Sequence, residues 1–346
     1  MLSLRPNSLA KFTQYWRSDT EANELGNTRM SASAMWKLIA PDYDYKPLER
    51  LFHNFAISPN AHRTIKKKIN WLFYLAKPQA VTTPNGKNIS NFKIAFLTFT
   101  LPSTQRHPTT VITSELWNHM LTELRRSTGM KNYVWRLEFQ KNGNVHYHLV
   151  TDTFVKYQHA LRIWNRIIEK LDYVSEYQNK MKSLSFPKYC ENYKGNIKKD
   201  FNKVRERYNK GTAENWSNPN SVDVKSVKSG QNIGGYIAKY FSKSKESNPV
   251  CNPRDNADNS KALRLWFCSQ SLSKLKTVTF FIEELAFNLY ELVKSDNDVF
   301  EFTKDFVNCL FFDINKLSQK LANWLNKRLF QYAVDVGYLE PIPQLI

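Results

Sequence analysis

The segment Val145-His146-Tyr147-His148-Leu149-Val150 places two histidines one residue apart in an apolar run. On a β-strand, side chains two apart face the same way. His146 and His148 then aim at one point, while Tyr147 points to the opposite face. Two imidazoles on one strand face make a natural pair of metal ligands. Two hydrogen-bonded sheet histidines would leave the same trace in a sequence. A metal also needs a third donor, and Glu138, eight residues before His146, is the candidate.

Whether Glu138 reaches depends on the turn. A two-residue loop at Asn142-Gly143 would pair Phe139 with His146 and put Glu138 on the wrong face. A three-residue loop, Lys141-Asn142-Gly143, with Gly143 in the left-handed region, would put Glu138 directly across from His146. Glycine takes that conformation without a Cβ clash, so the three-residue loop is expected. Otherwise Glu138 is an ordinary solvated strand residue.

A second constellation is Gly234-Gly235-Tyr236-Ile237-Ala238-Lys239-Tyr240-Phe241-Ser242-Lys243. On a helix, Tyr236 and Tyr240 share a face, and Lys239 flanks both. A phenol, with a pKa near 10, needs help to act as a nucleophile. An adjacent ammonium and a charge-neutralised phosphate would both provide it. Seventeen tyrosines make a Tyr-x-x-x-Tyr pair expected about once by chance, so alone it also fits two packing residues.

These residues need a scaffold. Lys93–Leu101, ended by Pro102, reads as a buried strand, and Thr113–Gly129 as a helix capped by Thr113 or Ser114. Tyr133–Gln140 and Val145–Asp152 read as a hairpin across Asn142-Gly143. Lys156–Leu171 reads as a helix with Leu161, Trp164, Ile167, Ile168 and Leu171 inward. Asn220–Val227 alternates as a strand, and Ile233–Ser242 has helical spacing. This order suggests an α+β fold with an antiparallel sheet. Residues 1–90 read as helix and loop. Within them, Ala61–Lys77 sets Lys66, Lys67 and Lys68 beside a stripe of Ile65, Ile69, Leu72 and Phe73, as either a solvated helix face or a phosphate contact. Residues 245–260 read as a linker and the tail as helical.

The chain has 346 residues, with 50 Lys and Arg against 31 Asp and Glu, a formal net charge of +19. Such a surplus implies a polyanionic partner, most often nucleic acid. Residues 271–346 carry 8 basic and 10 acidic side chains, so the surplus lies in the first three quarters. Residues 181–210 are especially basic, with 9 Lys and Arg against 3 acids. There Arg205 and Arg207, with Tyr193 and Tyr208, fit a strand-binding surface of charge and base stacking, or a solvated basic helix. Lys239, Lys243 and Lys245 are further phosphate-binding candidates. Four cysteines form no CxxC pair, which argues against a zinc finger. No GxxxxGK[ST] is present, so no nucleotide-triphosphate site is expected. Neither a signal-peptide pattern nor a membrane span is seen, the most apolar tail stretch carrying Glu283, Glu284 and Glu291.

Taken together, these motifs resemble the HUH endonucleases, named for histidine–hydrophobic–histidine. The chain is most similar to the rolling-circle replication initiators of small single-stranded DNA phages, the microvirus type. Phe96-Leu97-Thr98-Phe99-Thr100-Leu101-Pro102 matches their first motif, His146-Tyr147-His148 the metal motif, and Tyr236-Ile237-Ala238-Lys239-Tyr240 the two-tyrosine nucleophile motif. Asn218–Val224 resembles the strand that leads into the tyrosine helix. The resemblance covers about residues 91–245.

The resemblance implies an antiparallel five-stranded sheet with an RNA-recognition-motif-like layout, the metal on its central strands and the tyrosine helix beside it. It implies an endonuclease domain over 91–247 with a basic helical insertion at about 172–215; the outer segments are not covered by it, and there the residues themselves read as a basic helical and loop extension over 1–90. A linker and helical region over 248–346 completes the chain. The metal would be Mg²⁺ or Mn²⁺, held by His146, His148 and Glu138. Softness of two imidazoles favours Mn²⁺ and cellular abundance favours Mg²⁺. Tyr236 would be the first nucleophile, with Lys239 three residues on, and Tyr240 the second. The implied partners are single-stranded origin DNA, a host helicase and a polymerase, with no membrane. The implied compartment is bacterial cytoplasm, or the nucleus of a eukaryotic host. A transposase or relaxase would share this chemistry. A non-catalytic DNA-binding regulator would have no need of both histidines, Glu138 and both tyrosines. A zinc hydrolase would need a general base beside the metal pair, and none is evident.

Overall fold

Largely apolar, buried strands build the sheet that carries the histidines. A computed structural model describes residues 2–12, 57, 59–82, 86, 88–140, 142–193, 195–227, 264–280, 283–296, 299–304 and 307–340. The chain divides into two units, a central one of Ile57–Lys274 and a terminal one that joins Met1–Ala56 with Leu275–Ile346. The central unit holds 36 Lys and Arg against 15 Asp and Glu, a net of +21, so it carries the whole surplus.

The terminal unit contributes β1 (Leu2–Arg5) and β2 (Ser8–Phe12) at the start of the chain. The central unit begins with α1 (Pro59–Leu75), followed by β3 (Gln79–Thr82) and β4 (Asn88–Phe92), which pair with each other. Within α1, Ile65, Ile69 and Leu72 are buried as their spacing requires. Lys68 is buried too, and its Nζ donates to the Ser273 carbonyl at 2.8 Å, so it serves neither solvent nor phosphate.

β5 (Ile94–Thr100), β6 (Tyr133–Phe139), β7 (Val145–Thr151), β8 (Val222–Val227) and β9 (Trp266–Cys268) form one antiparallel sheet in the order β8-β5-β7-β6-β9. The class is α+β, with the five-stranded antiparallel sheet that the sequence leads one to expect, and β7 is its central strand. Its fifth strand, β9, lies beyond residue 247.

One face of this sheet is the core. Leu97, Phe99, Trp135, Leu137, Tyr147 and Leu149 project from it between two helices. The first helix opens with a single turn, Thr109–Val111, continues as a π-helix over Ile112–Trp117 and ends as α2 (Asn118–Thr128). It starts four residues earlier than expected and without a Thr113 cap. Pro108 precedes the first turn, and Thr113 Oγ1 instead donates to the Thr109 carbonyl and meets the Tyr147 hydroxyl at 2.8 Å. Gly129 closes α2 at φ 70. The second helix, α3 (Tyr157–Ile168), buries Leu161, Trp164, Ile167 and Ile168. Each such side chain contributes about 1.5–3 kcal/mol of burial energy.

The basic insertion follows as α4 (Tyr173–Lys182), α5 (Phe186–Glu191) and α6 (Ile197–Ala213). A short helix, α7 (Gln270–Lys274), ends the central unit.

In the terminal unit the expectation of helical extensions is corrected. β10 (Val278–Phe280), β11 (Phe300–Lys304) and β12 (Val307–Phe311) join β1 and β2 in a second five-stranded sheet, order β10-β1-β2-β12-β11. Two helices, α8 (Glu283–Lys294) and α9 (Gln319–Asp335), belong to the same unit. Runs such as Leu2-Ser3-Leu4 and Phe300-Glu301-Phe302 alternate with period two, which a helix cannot use to bury one face.

Candidate active site

Everything at this site is placed by the β6–β7 hairpin. Gln140 N donates to the Asn144 carbonyl at 2.8 Å, Gly143 N donates back to the Gln140 carbonyl at 2.9 Å, and Gly143 adopts φ 83. Phe139 therefore pairs with Val145, and Glu138 lies directly opposite His146. This is the register of the three-residue loop. The turn is also anchored from the segment after β5. Gln105 N donates to Asn144 Oδ1, Asn144 Nδ2 to the Ser103 carbonyl, and Val145 N to Gln105 Oε1, at 2.7–2.8 Å.

Tyr147 fastens β7 from the other side. Its ring is buried, stacked on Trp117 with centroids 4.4 Å apart and planes 7° apart. With Tyr147 fixed in the core, pleating turns His146 and His148 to the opposite face.

There the imidazole centroids stand 4.6 Å apart. His148 Nε2 lies 3.2 Å from Glu138 Oε2, and its Nδ1 lies 3.2 Å from Thr98 Oγ1. Its ring stacks on Phe96. His146 Nδ1 lies 3.3 Å from Gln140 Nε2. Arg136, only 4% exposed and opposite His148 in the register, sets Nη1 3.1 Å from Glu138 Oε1.

Burial fixes the electrostatics. It pushes His146 down to about 4, aided by His148 and opposed by Glu138, so this imidazole is neutral at physiological pH. Burial pushes Glu138 up, but the hydrogen bond with His148 and the charge of Arg136, with lesser electrostatic help from the two imidazoles, outweigh it and hold the carboxyl below its ordinary value. Burial likewise lowers Arg136, with Glu138 opposing.

Two imidazoles and a carboxylate are a borderline donor set, suited to Mn²⁺ or Mg²⁺. As the side chains stand, no trio of His, Cys, Asp or Glu among the described residues encloses a cation position. Still, His146 Nε2 is among the buried polar atoms of this cluster, with Glu138 Oε1 and Arg136 Nε, that make no hydrogen bond among the described residues. A buried nitrogen without a partner costs free energy unless something else occupies it. Such a nitrogen, on the same sheet face as the Glu138 carboxylate, is chemically suited to a divalent cation, which His146, His148 and Glu138 would hold.

Tyr236, Lys239, Tyr240, Lys243 and Lys245, together with the linker over 245–260, lie outside the described residues. Arg205 and Arg207 lie on α6 rather than on the sheet, and both are exposed. Two positions apart on a helix, they point about 200° apart. Arg205 sits over the Phe186 ring at 6.0 Å. Arg207 instead continues an exposed stripe of Lys199, Lys203 and Lys210. Tyr208 is not a free base platform. Its hydroxyl donates to the Leu184 carbonyl, and its ring packs against Phe186, Tyr189 and Trp216. The Tyr193 hydroxyl donates to Asp200 at 2.9 Å.

The sequence reading did not single out Thr98, Arg136 or Gln140 as neighbours of the histidines. The signal was present in the alternation. Thr98 shares the face of Phe96, and Arg136, Glu138 and Gln140 are successive even positions of one strand and its end.

Residues 94–245 match the family of replication-associated proteins of the ORF2 type. No curated protein and no solved structure matches the chain. The matched stretch begins at the first residue of β5 and includes the whole His146–His148–Glu138 cluster and both tyrosines of the 236–240 motif. It supports a role in replication initiation, with DNA as the partner. No helix among the described residues is long and apolar enough to cross a membrane.

Proposed function

We propose that this chain initiates rolling-circle replication by nicking single-stranded origin DNA. The supporting observation is the meeting of Glu138, His146 and His148 on one face of the two neighbouring strands, inside the stretch that matches replication-associated proteins. His146, His148 and Glu138 would hold Mg²⁺ or Mn²⁺, which when bound supplies Lewis-acid polarisation of the scissile phosphate. Arg136 keeps the Glu138 carboxylate ionised and oriented.

Tyr236 supplies the nucleophile, flanked by Lys239. Its phenolic oxygen bonds to phosphorus as the bond from phosphorus to the 3′ oxygen breaks. The phenolic proton leaves to solvent, and the departing oxygen takes up a proton to become a free 3′-OH that can prime a polymerase. The strand's 5′ end is then held as a phosphotyrosyl ester. The energy of the broken bond is retained in that ester, so rejoining by attack of a 3′-OH needs no nucleoside triphosphate. Tyr240 makes the second cut while Tyr236 holds the first end. Arg207, Lys243 and Lys245 contact the phosphate backbone, whereas Arg205 lies on the other side of its helix; a host helicase unwinds the duplex and a polymerase extends the free 3′-OH.

The test is incubation of the full chain with labelled single-stranded origin DNA and Mn²⁺, followed by a denaturing gel. A covalent adduct is expected that is lost with EDTA, in His148→Ala, and in a Tyr236→Phe/Tyr240→Phe double variant. An adduct persisting in the double variant would overturn the nucleophile assignment. Specific binding without an adduct would favour the DNA-binding regulator.

A further inference from the structure

The two imidazoles are not held alike. His148 Nε2 meets Glu138 Oε2, His146 Nε2 is buried without a hydrogen bond among the described residues, and each ring sets its Nδ1 against a different neighbour. The neighbour of His148 is a hydroxyl, Thr98 Oγ1, which can donate or accept. The neighbour of His146 is the Gln140 amide, presenting Nε2 at 3.3 Å. An amide nitrogen only donates. In this arrangement His146 Nδ1 accepts, and the single ring proton of the neutral imidazole sits on its Nε2. His148 matches it, because Nε2 at 3.2 Å from a carboxylate oxygen carries the proton it donates.

A cation needs the opposite tautomer of both rings, with the lone pair on Nε2 and the proton on Nδ1. Thr98 accommodates that change by rotating its hydroxyl. Gln140 accommodates it only by turning its amide through 180° about the terminal bond, which brings Oε1 to accept from Nδ1–H.

We propose that Gln140 is a positioning residue that selects the tautomer of His146, and that cation loading is accompanied by this turn of its amide. The inference rests on the cation reading given above. The His146 ring keeps one proton throughout. The proton on Nε2 is exchanged through solvent for one on Nδ1, and no oxidant or other reactant enters. Gln140 can do this because it is the last residue before the loop. It follows Glu138 by two on the same side of the hairpin, and its backbone is tied to Asn144.

The experiment is imidazole ¹H–¹⁵N correlation on the full chain, without and with Mg²⁺, paired with Mn²⁺ titration by electron paramagnetic resonance. Wild type is expected to show His146 as the Nε2–H tautomer alone and as Nδ1–H with Mg²⁺. Gln140→Glu presents only acceptors, so it should hold Nδ1–H before any cation is added, an effect that packing alone would not produce. Gln140→Leu should weaken Mn²⁺ binding about 10- to 100-fold, the range for removal of such a supporting partner. Nδ1–H in cation-free wild type would overturn the proposal. So would Gln140→Leu binding Mn²⁺ within twofold of wild type, in which case the cation reading stands and this inference alone fails. No Mn²⁺ binding by folded wild type would overturn both.

Discussion

Glu138 of β6 stands opposite His146 of β7, yet its Oε2 lies 3.2 Å from Nε2 of His148, the diagonal neighbour. The other oxygen of that carboxylate faces Arg136 at 3.1 Å. The arrangement depends on a turn, the buried Tyr147 and the buried Arg136 guanidinium, and each can be removed separately.

The turn rests on Gly143 at φ 83. A side chain there pays the left-handed penalty of about 1–2 kcal/mol. Gly143→Ala should destabilise the chain by that amount in urea unfolding. Gly143→Asn should cost less, because Asn tolerates this region.

Breaking the Arg136–Glu138 pair leaves a buried carboxylate uncompensated. Arg136→Met should cost about 3–5 kcal/mol. The double variant Arg136→Met/Glu138→Gln removes both charges and should recover much of the loss. A double-mutant cycle by chemical denaturation measures the coupling. Additive losses would show that the two groups act independently.

Of these features, the strands and the hairpin were legible in the sequence. β5 reads as an apolar run ended by Pro102, β8 alternates, and β6 and β7 flank Asn142-Gly143, a strong turn signal with a glycine in the one position that needs positive φ. The second sheet was not legible. Its strands are three to five residues long, and it pairs residues 2–12 with residues 278–311, contacts that no local pattern announces. The expected cap at Thr113 or Ser114 set the helix start too late, because Pro108 sets up a turn at Thr109, which is buried. Tyr208 looked like an exposed stacking residue because α6 is basic, yet it faces the Phe186, Tyr189 and Trp216 cluster. Composition does not say which side of a helix turns inward.

Asp152, just beyond β7, gives a pH dependence away from the histidines. Burial raises its pKa despite hydrogen bonds from Asn132 and Thr153. The folded chain therefore holds this proton more tightly than the unfolded chain. Below the ordinary aspartate pKa both states are protonated and no penalty exists. As pH rises through the window between the ordinary and the raised value, stability falls, and the penalty persists at neutral pH. Asp152→Asn should be more stable than wild type at pH 7 in urea melts, with the difference shrinking toward pH 4. A difference independent of pH would contradict the assignment.

The exposed stripe of Lys199, Lys203, Arg207 and Lys210 predicts a salt effect. For single strands, each phosphate contact contributes about 0.7 to the slope of log affinity against log salt. Changing all four residues to Ala should lower that slope by up to about 3 in fluorescence anisotropy with single-stranded DNA. An unchanged slope would make the stripe a solvated helix face.

The most direct test of the whole account is to digest the nicked complex with protease and map the attached nucleotide by mass spectrometry. The account predicts a nucleotide joined through its 5′ phosphate to the peptide containing Tyr236 or Tyr240, formed only when His146, His148 and Glu138 are intact. Attachment at any other residue, or cleavage that leaves no nucleotide on the protein, would contradict it.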